Sequence, residues 1–220
     1  MDINQGYQFV QFLANQTQSG SITPNNFNLA SERAQIQLFY TDRKVWQDSQ
    51  IITDSLSKFL TLTPLNIASN GQALYPSDYA GTSSVRHVYY LKNHTITNPS
   101  YIEVDVDEIN DNSIADVLSS QIVTPTKRYP RIAYYDNYIQ FFPKNLGSVN
   151  FTYLRNPKVP IWAFTIVNNN PVYDAANSVN WEFFDQYHNA IVMIICEFLG
   201  INIREADLIT AAEQFKTENL

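Results

Sequence analysis

Arg131-Ile132-Ala133-Tyr134-Tyr135-Asp136-Asn137-Tyr138-Ile139-Gln140-Phe141-Phe142 marks the middle of this chain as β-structure. Two runs rich in β-branched and aromatic residues flank Asp136-Asn137, a pair that tolerates positive φ in a two-residue turn. The stretch therefore predicts a β-hairpin. Pro130 and Pro143 bound it, and proline has no N–H to give to a ladder. On its N-terminal side, Val85, His87, Tyr89 and Leu91 alternate with Arg86, Val88 and Tyr90, the period of a strand. Ile102, Val104 and Val106 alternate with Glu103, Asp105 and Asp107, giving a strand with one apolar and one acidic face. Val149 to Leu154 predicts another strand, stopped by Asn156-Pro157. Ile161 to Val167 predicts one more, followed by Asn168-Asn169-Asn170-Pro171, read as a polar loop. Tyr75-Pro76-Ser77-Asp78-Tyr79 reads as a turn-forming loop, and Asp111 to Gln121 as a short helix ended before Pro125.

Both ends carry the helical period instead. Ile3, Tyr7, Val10 and Leu13 fall on one face of a helix from about Asn4 to Thr17. Thr23 offers a capping hydroxyl, and Pro24 sits at the first helical position, where a missing N–H costs nothing. That second helix carries Phe27, Ala30, Ala34 and Leu38 and continues to about Trp46, with Ile52 to Leu60 a weaker third. Near the C-terminus Asn180 is the expected cap. Glu182 lies in the first turn, and Phe184, Tyr187, Ile191, Ile194 or Ile195, and Phe198 follow at helical spacing up to Gly200. A final helix is expected over 204–216, with Leu208, Ala211, Ala212 and Phe215 on one face. The fold class is α+β: a central antiparallel β-sheet with hairpins, and helices at the N- and C-terminal ends. The organisation read from this pattern is a helical arm over 1–62, a β-rich region over 63–172 and a helical pair over 173–220, packed as one structural domain. No internal repeat is present.

Composition narrows the function. The chain has 220 residues, is 45% hydrophobic and 16% charged, and carries a formal net charge of −7. An acidic chain gains no general attraction to the nucleic-acid backbone, which disfavours a DNA-coating role. Lys127, Arg128 and Arg131 form the one small basic cluster and read as a solvated loop. The single cysteine, Cys196, excludes an intrachain disulfide and reads as a structural thiol. Met1-Asp2-Ile3-Asn4-Gln5 lacks the basic start and apolar run of a signal peptide, and no apolar stretch is long enough to span a bilayer. The expectation is a chain made in a reducing cytosol, without a membrane role.

Chemistry is sparse. Glu182, Asp185 and His188 share a helical spacing and could serve a hydrolase, but the solvated face of an amphipathic helix accounts for them as well. There is no Gly-x-Ser-x-Gly elbow and no glycine-rich phosphate loop. One cysteine and the dispersed histidines His87, His94 and His188 give no zinc spacing. Glu103, Asp105 and Asp107 could bind a hard cation, yet no calcium-loop pattern accompanies them. They are expected to face water or the Lys and Arg of a neighbouring subunit. The adjacent aromatics Tyr89-Tyr90, Tyr134-Tyr135 and Phe141-Phe142 put one ring on each sheet face. An outward row would suit a carbohydrate-binding or adhesin-type module, unless a second layer covers it. No catalytic, metal or cofactor site is assigned, and the chain reads as a non-enzyme.

An ordered set of short motifs resembles a known family. Thr23-Pro24-Asn25-Asn26-Phe27-Asn28 leads into a helix with Ala34-Gln35. Leu74-Tyr75-Pro76-Ser77-Asp78-Tyr79 and Phe142-Pro143 follow. The sharpest part is Val149-Asn150-Phe151-Thr152-Tyr153-Leu154-Arg155-Asn156-Pro157, and the run from Trp181-Glu182 through Leu199-Gly200-Ile201 completes the set. Together they resemble neck or ring proteins encoded near the portal in crAss-like and related Bacteroidetes phages. The resemblance implies a virion structural protein in the head–tail connector, made and assembled in the host bacterial cytoplasm. It implies a homo-oligomeric ring, a dodecamer, below the portal and in contact with other neck and tail proteins. Double-stranded DNA would pass through the lumen without sequence-specific binding, and an acidic lumen would let it slide. Arg155 and Lys158, held by Pro157 and Pro160 on an extended segment, are candidate interface residues, with Tyr153 and Trp162 as aromatic anchors. Packing of Tyr153 in the core and pairing of Arg155 within its own subunit is the alternative.

Overall fold

The computed structural model describes residues 1–16, 20–46, 54–90 and 101–201, and the fold is α+β. It divides into two compact units: Met1–Lys58 with Pro157–Leu220, and Phe59–Asn156. The two chain ends build one unit together, and the β-rich middle gives up its last strands to that unit.

The middle unit is a sandwich of two four-stranded sheets. The first has strand order β1-β8-β3-β4, from β1 (Leu60–Asn66), β3 (Tyr79–Tyr90), β4 (Tyr101–Asp105) and β8 (Ser148–Arg155), all antiparallel. The second has order β2-β7-β6-β5, from β2 (Gln72–Leu74), β5 (Asp107–Glu108), β6 (Arg131–Tyr134) and β7 (Tyr138–Phe142). The hairpin expected from the sequence is β6–β7, closed where the Tyr135 N–H donates to the Tyr138 carbonyl at 3.0 Å. Asp136 and Asn137 make its loop with ordinary negative φ: among the described non-glycine residues only Asn168 and Asn169 have positive φ. One pairing departs from the antiparallel expectation. Asp107–Glu108 runs parallel to Arg131–Ile132.

Alternation along the strands fills the sandwich. Val85, Val149, Phe151 and Tyr153 from the first sheet meet Ala73, Ile132, Ile139 and Phe141 from the second, with Val106 and Leu146 closing the sides. Phe141 and Phe151 are fully buried, each contributing on the order of 2 kcal/mol in removed apolar area. Phe142, next to Phe141, points the other way but is buried too, against Ile109, Ala133 and the side chains of Ile114 and Val117. Those last two belong to α3 (Ile114–Ser119), the short helix read from Asp111 to Gln121, which covers this side of the second sheet.

In the other unit, α1 (Ile3–Gln16) opens on a capping box: the Gln5 N–H donates to Asp2 Oδ1 at 2.7 Å, and the Asp2 N–H to Gln5 Oε1 at 3.0 Å. Thr23 caps α2 (Pro24–Lys44) by accepting from the Asn26 N–H, with Pro24 at N1 as the sequence predicts. Gly6 lets α1 approach Trp181; a Cβ there would lie 2.1 Å from the indole Cη2. The indole Nε1–H in turn donates to the buried Ser31 hydroxyl on α2 at 2.6 Å.

Two helical expectations are corrected. Over 52–60, the described part is a helical turn ending in the 3-10 segment Leu56–Phe59, and Leu60 already begins β1, where the Leu60-Thr61-Leu62-Thr63 alternation takes over. The C-terminal helix, α4 (His188–Phe198), starts later than Asn180 predicts, after a 3-10 turn at Asp185–Tyr187. The reason is tertiary. The Asn180 Oδ1 accepts from the Ile3 N–H at 2.8 Å and so caps α1, while Trp181 and Glu182 are held extended by α2. The helix expected at 204–216, the loop with His94 and the start of the 52–60 helix lie outside the described residues.

Candidate functional site

Three buried or half-buried polar side chains on α2, Asn28, Ser31 and Gln35, project toward the segments around Trp162 and Trp181. Asn28 binds the Trp162 backbone twice: its Nδ2–H₂ donates to the carbonyl at 3.1 Å and its Oδ1 accepts from the N–H at 2.8 Å. Gln35, 1% exposed, donates to the Lys158 carbonyl at 2.7 Å and accepts from the Glu182 N–H at 2.9 Å. Glu182 closes the circuit by accepting from the Lys158 N–H at 2.7 Å. An amide side chain matches one donor and one acceptor of a backbone segment, so this arrangement substitutes for a sheet ladder where the chain is irregular.

The clamp fixes the base of a hairpin absent from the sequence reading. β9 (Phe164–Val167) pairs with β10 (Asn170–Tyr173), and Asn168 and Asn169, at φ of 50° and 62°, form its two-residue turn. The polar loop expected at 168–171 is thus a turn plus the start of a strand. β-branched residues around an Asn-Asn pair were the available signal. Ile161 stays outside the ladder as an isolated bridge to Val179. Trp162 anchors the hairpin, stacked at 5.6–5.8 Å on Tyr173 and Phe164 and at 4.2 Å on Tyr7, with its Nε1–H on Asn4 Oδ1 at 3.0 Å. The hairpin pairs with no other described strand, and Ile166 (61%), Val167 (50%) and Val172 (46%) remain exposed. β1, an edge strand, likewise exposes Leu60 and Leu62.

The expected interface residues divide. Tyr153 is buried, its hydroxyl donating to Asp78 Oδ1 at 2.9 Å within a ring cluster with Tyr79 and Phe151. Trp162 is buried as described. Neither ring is on the surface of the chain, and for Tyr153 this is the core packing that the sequence left open. Arg155 is half-buried, its guanidinium 5.6 Å from the Phe59 ring centre, and donates to the Asn156 carbonyl at 3.2 Å. Lys158 is exposed, with its backbone in the clamp. The acidic row meets arginines of its own chain: Arg86 lies 3.7 Å from Glu103 and 3.6 Å from Asp105, and Arg131 lies 2.8 Å from Asp107. The first two pairs are exposed and weak. Among the described residues no group of three His, Cys, Asp or Glu could hold a metal.

Asp185 and His188 do come together, at 3.4 Å, but Glu182 is committed to the Lys158 N–H. His188 is buried, and its Nε2 faces the Phe183 carbonyl at 3.1 Å. That places the proton on Nε2 and turns the lone pair of Nδ1 toward the Asp185 carboxylate, without a hydrogen bond. Burial holds this imidazole below its ordinary pKa; the Met1 α-amine and Lys58 act in the same direction and Asp185 opposes them. Burial pushes the Cys196 thiol up to about 12, so it is inert as a nucleophile. Of the aromatic pairs, Phe141-Phe142 is covered on both faces, whereas Tyr90 and Tyr101 are exposed side by side, 6.2 Å apart. No helix among the described residues is long and apolar enough to cross a membrane.

A scan against protein-family models and a search of curated proteins each return no match.

Proposed function

We propose that this chain is a virion structural protein, one subunit of a homo-oligomeric ring in the head–tail connector of a tailed phage resembling the crAss-like phages. The ring would sit below the portal, contact other neck proteins and pass double-stranded DNA through its lumen. The observation that carries the reading is the β9–β10 hairpin. A two-stranded ribbon is marginal alone in water, yet this one is rigidly based on Trp162 and Asn28 and leaves Ile166, Val167 and Val172 uncovered. Packing against a neighbouring copy supplies what the lone ribbon lacks, and repeated head-to-tail contacts of this kind close into rings. The motifs that carry the family resemblance support it as well, since Asn28, Gln35 and Trp181-Glu182 are the parts that hold the hairpin's base. The net charge of −7 suits a lumen that does not grip DNA by counterion release.

Size-exclusion chromatography with light scattering, on the chain alone and mixed with the portal protein, tests this. A ring-sized species in either sample supports it; a monomer in both opposes it. A carbohydrate-binding reading draws on the Tyr90–Tyr101 pair alone, and a glycan array with Tyr90→Ala as control decides it.

A further inference from the structure

The sandwich unit contains a half-open groove of about 570 Å³ that has no part in the ring reading. It exists because β3 outruns β8. The β3–β8 ladder ends at Arg86 and Asn150, β8 begins at Ser148, and β3 continues to Tyr90. The notch left beside Val88–Tyr90 is floored by Gly147 and Ser148, with Asn66 and Lys127 among its other walls. Its volume is in the range of small-molecule sites.

The charge lining it is unlike the rest of the chain. Aspartates and glutamates outnumber lysines and arginines by 21 to 14, yet among the described residues no carboxylate lines the groove and its one formal charge is Lys127. The nearby carboxylates Glu103 and Asp105 face Arg86. Lys127 is held in a tight turn in which Thr126 and Tyr129 exchange both backbone hydrogen bonds, at 3.2 and 3.1 Å. His87 is 6% exposed and lines the same groove. Its Nδ1 faces the Ser148 carbonyl at 3.2 Å, so the neutral ring carries its proton there. Nε2 then carries the lone pair, and no described residue donates to it. Burial keeps the imidazole below its ordinary pKa; the Ser148 carbonyl opposes this and the Lys127 charge adds to it. Two groups that repel each other as cations thus line one groove with no counter-charge among the described residues. An oxyanion would satisfy both: it would accept from the Lys127 ammonium, and from Nε2–H once His87 takes up a proton. Asn66, Asn150 and Ser148 add neutral hydrogen-bonding groups.

We propose that this groove binds a phosphate ester of nucleotide size, its phosphate on Lys127 and His87. Binding is coupled to uptake of a proton by His87. The same chemistry is offered by a free nucleotide and by the backbone of DNA.

The test is isothermal titration of the full chain with adenosine monophosphate, with adenosine and with a short DNA duplex, in buffers of different ionisation heat. The expected result is binding of the phosphate ester with net proton uptake near neutral pH and tighter binding at about pH 5.5. Lys127→Ala, at an exposed position, should weaken it by about tenfold or more, as loss of a charge-assisted contact does. His87→Gln should abolish proton uptake; if that variant fails to fold, the buffer dependence of the native chain carries this arm. Binding of monophosphate alone assigns a free nucleotide, and Lys127-dependent binding of duplex assigns the DNA backbone; either supports the site. Adenosine binding as tightly as its monophosphate, binding unaffected by Lys127→Ala, or no binding of any probe at millimolar concentration would overturn it.

Discussion

Replacing Gln35 by leucine tests the clamp that holds the hairpin's base. The side chain is 1% exposed and spans two backbone segments, donating to Lys158 O and accepting from the Glu182 N–H. Leucine fills similar space but serves neither group, so a carbonyl and an N–H lose their partner together. An unsatisfied buried backbone group costs about 1–3 kcal/mol. Both bonds are only part-buried, so water recovers some of this, and the low end applies: about 1–1.5 kcal/mol each, or roughly 2–3 kcal/mol in all. For a chain of this length that is a fall in Tm of roughly 5–10 °C. Urea denaturation followed by tryptophan fluorescence reads the effect on the right part of the molecule, because Trp46, Trp162 and Trp181 all lie in the unit that contains the clamp. Gln37→Leu, exposed on the same helix, is the control. A loss for Gln35→Leu below about 1 kcal/mol, or one no larger than the control's, would refute the argument.

Four other outcomes are expected. Gly6→Ala places a methyl 2.1 Å from the Trp181 ring, so it should destabilise the same unit by about 2 kcal/mol or more in the same fluorescence assay. Ile166→Asp with Val172→Asp should leave that unit's unfolding free energy, from urea denaturation, within about 0.5 kcal/mol of the native chain's and lower the mass of any assembly seen by light scattering. Burial holds His87 and His188 neutral below their ordinary pKa, so the unfolded chain binds their protons first as pH falls. Their contribution to stability is therefore complete above about pH 6.5 and declines below it, and His188→Gln should flatten the decline in a pH series of urea midpoints. The Cys196 thiol, buried and shifted to about 12, should react with Ellman's reagent only at the rate of unfolding; fast labelling in native buffer would contradict its placement.

The parts legible in the sequence are those decided by neighbours in the chain. Thr23-Pro24 announces the start of α2 because capping is a local hydrogen bond. The β6–β7 hairpin and β8 follow from alternation and their flanking prolines and asparagines. What was not legible was decided across the fold. Asn180 has the chemistry of a cap, but the helix it caps begins at Ile3, which no local reading can find. Asn28 and Gln35 look like polar residues on a helix, and only the irregular backbone beside them makes them clamps. Glu103, Asp105 and Asp107 read as an unanswered acidic row because their arginines arrive on other strands. Tyr153 and Trp162 show the same limit: aromatic character is visible in sequence, but which side of the fold covers it is not. The β9–β10 hairpin had a local signal, two asparagines that accept positive φ between β-branched residues, and the polar composition of the loop obscured it.

Under the proposed function, copies of this chain close into a ring by contacts on themselves. Native mass spectrometry of the full chain, alone and with the portal assembly, weighs that directly. A closed homo-oligomer, a dodecamer, is expected in at least one of the two samples, lost when Ile166 and Val172 are made aspartate. A chain that stays monomeric in both, or an oligomer indifferent to those two residues, would contradict it.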